Sequence, residues 1–260
     1  MIPLPLRRHG LPTAMRLYER HAAAADRGRW SVERDVRWAD VDAAAAHRTP
    51  DILAAMRDAC LIEAVHPANL GGILPFVLDD TDACAVLSLE MYEGFKHFQA
   101  LRTYLDRVGW EPAVTDADLA AARLAPDPHA DAPLVERLVE FMLSEHLAVY
   151  FFRRLAERAE DPVLVELLAR ISADEVRHAQ SASDLLAKRI AADHRLVPRV
   201  LQAAVEFQHF GVRAVGEIPV AMPGDPLAIR SFARRIERLC GVRLVDHLMA
   251  SLDPAPRTGR

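Results

Sequence analysis

An all-α fold is what this sequence predicts, and three observations predict it. Ala, Leu, Arg and Glu dominate the 260 residues, and all four favour helix. Long stretches repeat their apolar residues at helical spacing, as in Leu138, Phe141, Met142, Glu145, Ala148, Val149 and Phe152. Glycine is sparse, at 11 residues, and the alternating Val, Ile and Thr runs of half-buried strands are nearly absent. With 51% hydrophobic residues the chain is globular and long enough to bury a sizeable core.

The elements follow from their stop signals. A short helix is predicted over 13–25, and Trp30 and Trp38 after it are expected to pack onto the main body. Thr49-Pro50-Asp51 opens the first core helix, with Thr49 as cap and Pro50 at the first turn. That helix runs to about Val65, where Pro67 kinks or ends it. The path of 68–78, with Gly71, Gly72 and Pro75, stays open. Acidic residues from Asp79 to Asp82 suit the start of a second core helix, which runs to about Val108 and stops at Gly109. A short helix near 117–123 and a linker with Pro126, Pro128 and Pro133 follow. The third core helix spans 134–159. Asp161-Pro162 marks the sharpest boundary, and the fourth core helix continues to about Ala191. Further helices are expected over 196–207 and 227–252, with a disordered tail at 253–260. No boundary divides the chain, so 1–260 reads as one domain with its bundle at about 50–191.

Composition narrows the partners. Net charge is −5, acids and bases are interspersed, and no basic stripe with aromatics appears, which argues against nucleic acid. Nearly all bases are Arg; Lys96 and Lys188 are the lysines. Cys60, Cys84 and Cys240 lie far apart and suit reduced thiols in a cytoplasm. The N-terminus carries no apolar run of signal-peptide length, and no segment is long and apolar enough to span a membrane.

Chemistry concentrates on the four core helices. Glu175 and His178 lie three residues apart, hence on one helical face, in a stripe with Leu168, Ile171, Ala182 and Leu185. Glu145 lies within the apolar stripe quoted first. A carboxylate there costs several kcal/mol unless it is paired or bound to a cation. Glu63 and Glu93 are thirty residues apart, and so are Glu145 and Glu175. Two lone carboxylates and two Glu/His pairs are the inventory for two carboxylate-bridged metals. The candidate ligands are Glu63, Glu93, His97, Glu145, Glu175 and His178, with Glu90 able to replace Glu93. Asp174 and Arg177 are candidates to support the histidines. His66 is expected to be a satisfied helix-end histidine. His129, His146, His194, His209 and His247 are expected to be structural or exposed. Carboxylates and imidazoles without thiolates suit iron, with manganese also possible.

These segments resemble the ferritin-like di-iron carboxylate superfamily, most nearly its soluble acyl-carrier-protein desaturases. Glu63 and Pro67 match that family's first ligand helix. Glu93-Gly94-Phe95-Lys96-His97, followed by Arg102-Thr103-Tyr104-Leu105, is similar to its second. Ala173-Asp174-Glu175-Val176-Arg177-His178 matches its fourth. Phe207-Gln208-His209-Phe210-Gly211 and Glu217-Ile218-Pro219 are similar to the loop before its last helix. The resemblance covers about 50–250. It implies a ferritin-like four-helix bundle with added terminal helices, two irons, and O2 as co-substrate. It also implies a ferredoxin-type electron donor, a small or acyl-carrier-bound substrate and a homodimer. Oxidation of a C–H or N–H bond is the reaction class implied. One departure stands out: the family's bridging carboxylate on the second helix falls at Gly94. Either Glu93 or Glu90 turns into the space it leaves, or the second metal is weakly held or absent. The alternative to an oxidase is a non-catalytic, metal-binding or degenerate bundle.

Overall fold

The structure, a computed structural model, describes residues 16–127, 129–216 and 226–247. The Glu217-Ile218-Pro219 motif, the tail and the start of the N-terminal helix lie outside those residues. Among the described residues every regular element is helical. In order they are α1 (Leu17–Arg27), α2 (Ala43–Ala46), α3 (Pro50–Glu63), α4 (His66–Ile73), α5 (Thr81–Val108), α6 (Asp116–Leu124), α7 (Leu134–Arg158), α8 (Pro162–Ala192), α9 (Val197–Val205), α10 (Val212–Val215) and α11 (Pro226–Cys240).

Helices α3, α5, α7 and α8 form the bundle. Pro162 has no N–H to lose at a helix start, and Asp161 Oδ1 accepts from Val163 N at 3.1 Å, so α8 begins sharply after α7. The two fold back on each other as a helical hairpin, and α5 packs on both α3 and α8. Tyr104 on α5 donates to Asp161 Oδ2 at 2.7 Å, tying the second core helix to that turn. Asp80 caps α5 through Ala83 N at 3.2 Å, and Gly109 ends it in the left-handed region at φ +65°. The N-terminal α1 lies across α5 and α8.

Two local expectations are corrected. Thr49 precedes α3, but its hydroxyl donates back to Ala46 O at 3.3 Å and caps nothing. The single turn α2 draws that hydroxyl away. The expected helix over 227–252 ends at Cys240, because Gly241 takes φ +68° and its N–H closes on Glu237 O at 2.8 Å. A further helical turn occupies 244–247.

The kink at Pro67 positions the site. Helix α3 stops at Glu63 and α4 starts at His66 with Pro67 in its first turn, leaving a two-residue turn at 64–65. The core divides into two apolar clusters. One gathers Ile52, Met56, Leu101, Tyr104, Phe152 and Ile171; the other gathers Leu70, Leu87, Leu138, Met142 and Leu185. Between them lies a polar layer. No described helix is long and apolar enough to cross a membrane.

Candidate metal centre

Each bundle helix contributes to that layer, α3 from its last residue and α5, α7 and α8 from within their apolar faces. Glu63, Glu145, Glu175, His97 and His178 are all buried, Glu175 and His178 at 0% exposure. His178 Nδ1 lies 3.0 Å from Glu175 Oε2 and 3.2 Å from Glu145 Oε2, so α7 and α8 meet on one ring nitrogen. His97 Nδ1 lies 2.9 Å from Glu175 Oε1 and 3.5 Å from Glu63 Oε2. Glu175 thus faces both histidines, one with each oxygen, as a carboxylate between two ions would. The expected convergence of Glu63, His97, Glu145, Glu175 and His178 is what the fold brings about.

Glu90 and Glu93 take a different place. Both approach the outer nitrogen of His178: Nε2 is 3.1 Å from Glu90 Oε2 and 3.0 Å from Glu93 Oε2. Ser181 donates to Glu90 Oε1 at 2.5 Å, and Arg177 donates to Glu93 Oε1 at 2.8 Å. Glu93 is one residue, about 100° of helical turn, away from Gly94, so it cannot face the same way. It therefore does not enter the space at Gly94, nor does Glu90, one turn earlier.

His66 enters it. A Cβ at Gly94 would lie 2.6 Å from the His66 ring Cγ. The ring is 1% exposed, and neither of its nitrogens has a hydrogen-bond partner. This corrects the expectation of a satisfied helix-end histidine. The signal was present in Glu63-x-x-His66, but a helix carried through to Val65 gives no hint that the break turns His66 inward.

Asp174 and Arg177 sit as expected beside the histidines, with two more residues that the sequence reading missed. Asp174 Oδ2 is 3.0 Å from His97 Nε2, 2.7 Å from Lys96 Nζ, and accepts from Trp30 Nε1 at 2.8 Å. Arg177 donates to Asp174 Oδ1 at 2.6 Å. Lys96 lies 4.4 Å over the Trp30 ring. Of the remaining histidines, His146 is buried and accepts from Arg235 Nε at 3.1 Å, a structural role. His209 lines a cavity of about 30 Å³ beside Glu63 and Glu145, with Ile62, Phe151, Phe152 and Phe210 among its walls.

The electrostatics of the layer are extreme. Burial disfavours the charge on His97 and His178, yet the carboxylates around them outweigh it and hold both well above the ordinary histidine range. His66 rises to about 9 against its burial, driven by Glu145, Glu63 and Glu175. Burial, then the charge of Glu175, pushes Glu145 up to about 7. Glu175 and Asp174 fall well below the ordinary range despite burial, because His178 and His97 face the first, and His97, Lys96 and Arg177 the second. Burial raises Glu90.

Charge counting tests whether metal fits. Glu63, Glu90, Glu93, Glu145, Asp174 and Glu175 are six carboxylates around two fixed cations, Lys96 and Arg177. With the imidazoles uncharged the excess is four negative charges, which two divalent ions would neutralise; without metal, protons on His66, His97 and His178 offset most of it. Several donor atoms are buried without a hydrogen bond: Glu63 Oε2, His97 Nδ1, Glu175 Oε1 and both nitrogens of His66. Three residue groups, His66/Glu145/His178, His97/Glu175/His178 and Glu90/Glu93/His178, hold their ligand atoms within 4.8 Å of one another. The donor set fits two ions of oxygen- and nitrogen-preferring type.

Comparison with known proteins bears on the fold that carries this layer. The chain is 31% identical over 135 residues to DesA2 of Mycobacterium tuberculosis, a protein provisionally named an acyl-(acyl-carrier-protein) desaturase. That match covers 50% of this chain and 49% of the relative, so the chain spans about half the length of the curated relative it matches. The R2-like ligand-binding oxidase of Sulfolobus acidocaldarius superposes with a TM-score of 0.53 at 16% identity, over 88% of this chain and 93% of that one. No family model matches the chain. The fold is all-α and ferritin-like, as in that oxidase, and the sequence resembles the desaturase over half of its length.

Proposed function

We propose that the chain is an O2-dependent di-iron oxidoreductase: an oxidase, oxygenase or desaturase that oxidises a C–H or N–H bond. Its substrate is a small molecule or an acyl group on a carrier, as the name of DesA2 suggests. The observation that carries this reading is the buried polar layer, in which six carboxylates meet three imidazoles and Glu63, His66, His97 and Glu175 keep donor atoms without a hydrogen bond. Glu63, His97 and Glu175 would hold one ion, and Glu145, Glu175 and His178 the other. Iron held there supplies the O2-activating redox chemistry.

The chain's own residues orient and insulate. Asp174 accepts from His97 Nε2–H at 3.0 Å, which leaves the Nδ1 lone pair facing Glu63 and Glu175. Glu90 and Glu93 do the same for His178. Phe151, Phe152, Ile62 and Phe210 give the face between Glu63 and Glu145 apolar walls. The cavity there, about 30 Å³, admits a molecule of water or O2 size. A longer substrate requires residues 207–211, which carry His209 and Phe210, to give way. A ferredoxin-type electron donor, a homodimer and a cytoplasmic setting complete the reading, and manganese suits the same donors.

Protein loaded anaerobically with Fe(II) should hold about two irons per chain and consume O2 in proportion to added reductant. The small cavity favours one second reading, a metal-binding bundle without catalysis. At most one iron, with no O2 uptake after reduction, would replace the oxidase by that reading.

A further inference from the structure

We infer that His66 is itself a metal ligand, a third imidazole that takes the position of the side chain Gly94 lacks. The inference rests on the di-metal reading above and adds a residue to it. His66 is buried to 1% exposure, and its nitrogens make no hydrogen bond although carboxylates flank both. Nε2 lies 3.3 Å from Glu145 Oε1 and Nδ1 lies 3.4 Å from Glu63 Oε2. A buried, unsatisfied donor or acceptor costs about 1–3 kcal/mol. Both nitrogens of His66 meet carboxylates at ion-pair distance but outside hydrogen-bond geometry, which leaves them free to turn to a cation.

Geometry assigns that engagement to a cation. The ligand atoms of His66, Glu145 and His178 lie within 4.8 Å of one another. An ion with bonds of about 2.0–2.2 Å spans such a triad after a small closure of the side chains. The ring is clamped for the task. Phe141 and Phe210 present themselves edge-on, with centroids at 5.9 and 5.5 Å. A third side is the bare Cα of Gly94, where any Cβ would sit 2.6 Å from ring Cγ. The break at 64–65 then explains how Glu63 and His66, on separate helices, face one centre.

This makes His66 and a side chain at position 94 mutually exclusive, which a compensation experiment can read. Wild-type protein titrated anaerobically with Mn(II) should bind two equivalents. His66→Ala should keep one and lose the other, or weaken it about 100-fold. His66→Ala combined with Gly94→Glu should recover two, because the new carboxylate fills the space left by the ring. Two equivalents of unchanged affinity in His66→Ala would overturn the inference and leave the di-metal reading standing. Wild-type protein that binds no Mn(II) would instead overturn the di-metal reading. A second measurement needs no variant to fold. Proton NMR of Co(II)-loaded wild-type protein should show three hyperfine-shifted, solvent-exchangeable imidazole N–H signals, for His66, His97 and His178. Two signals would refute ligation by His66.

Discussion

The indole of Trp30 donates to Asp174 Oδ2 at 2.8 Å and its ring stacks on His97 at 6.3 Å between centroids, 9° from parallel. One residue of the N-terminal segment thereby fixes both the histidine from α5 and the carboxylate from α8 that orients it. Trp30→Phe keeps a ring and removes the donor. It should lower unfolding stability by about 1–3 kcal/mol in urea. A double-mutant cycle with Asp174→Asn should show a coupling of at least about 0.5 kcal/mol. Additive losses would mean that the bond carries no energy.

Glu175 faces both histidines, whereas Glu33 is exposed on the N-terminal segment. Glu175→Ala should therefore abolish tight iron binding, while Glu33→Ala leaves it unchanged. Metal analysis after anaerobic loading and desalting decides the matter, and equal iron in the two variants would remove Glu175 from the centre.

Glu90 and Glu93 contact the outer nitrogen of His178. Replacing both by Gln should weaken metal binding by about 10–100-fold without changing the stoichiometry, the effect of losing support behind a ligand. A loss of one whole equivalent would instead identify one of them as a ligand, as the repeated thirty-residue spacing suggests.

Away from the centre, Glu140 on α7 faces Asp127, His129, Arg137 and Arg213. Burial, then the charge of Asp127, pushes its carboxyl from 4.5 up to about 7, against the two arginines. The folded state therefore holds this proton more tightly than the unfolded chain. Its stabilisation is complete below about pH 4.5 and is lost as pH rises through 7. Glu140→Gln cannot ionise. Its stability relative to wild type should improve by about 1–3 kcal/mol between pH 5 and pH 8, measured by urea unfolding. A constant difference across that range would show that Glu140 titrates normally.

Helix content and most boundaries were legible because they are local. Pro162 and Asp161 start α8, Gly109 stops α5, and Gly241 stopped α11 more firmly than the apolar period around it suggested. Glu175 and His178 were legible for the same reason: a three-residue spacing on an unbroken helix fixes their shared face whatever packs against it. Glu145 followed from a carboxylate standing in an apolar stripe, and Glu63 from the thirty-residue spacing that pairs it with Glu93.

By itself, then, the sequence determined four helices, the faces they bury and the acids those faces carry. Only the tertiary structure decided which acids meet which imidazole nitrogen. Glu93 is placed by the approach of α5 to α8, and Lys96 and Trp30 reach Asp174 from segments 78 and 144 residues away. The clearance between His66 and Gly94 is the sharpest case. Twenty-eight residues separate them, and no periodicity in either segment records the other. The ring fits because the α3–α4 break and the α5 backbone approach within a space that one Cβ would fill. Such clearances depend on the summed packing of whole helices, at tenths of an ångström, and close-packed interiors leave no other way to set them.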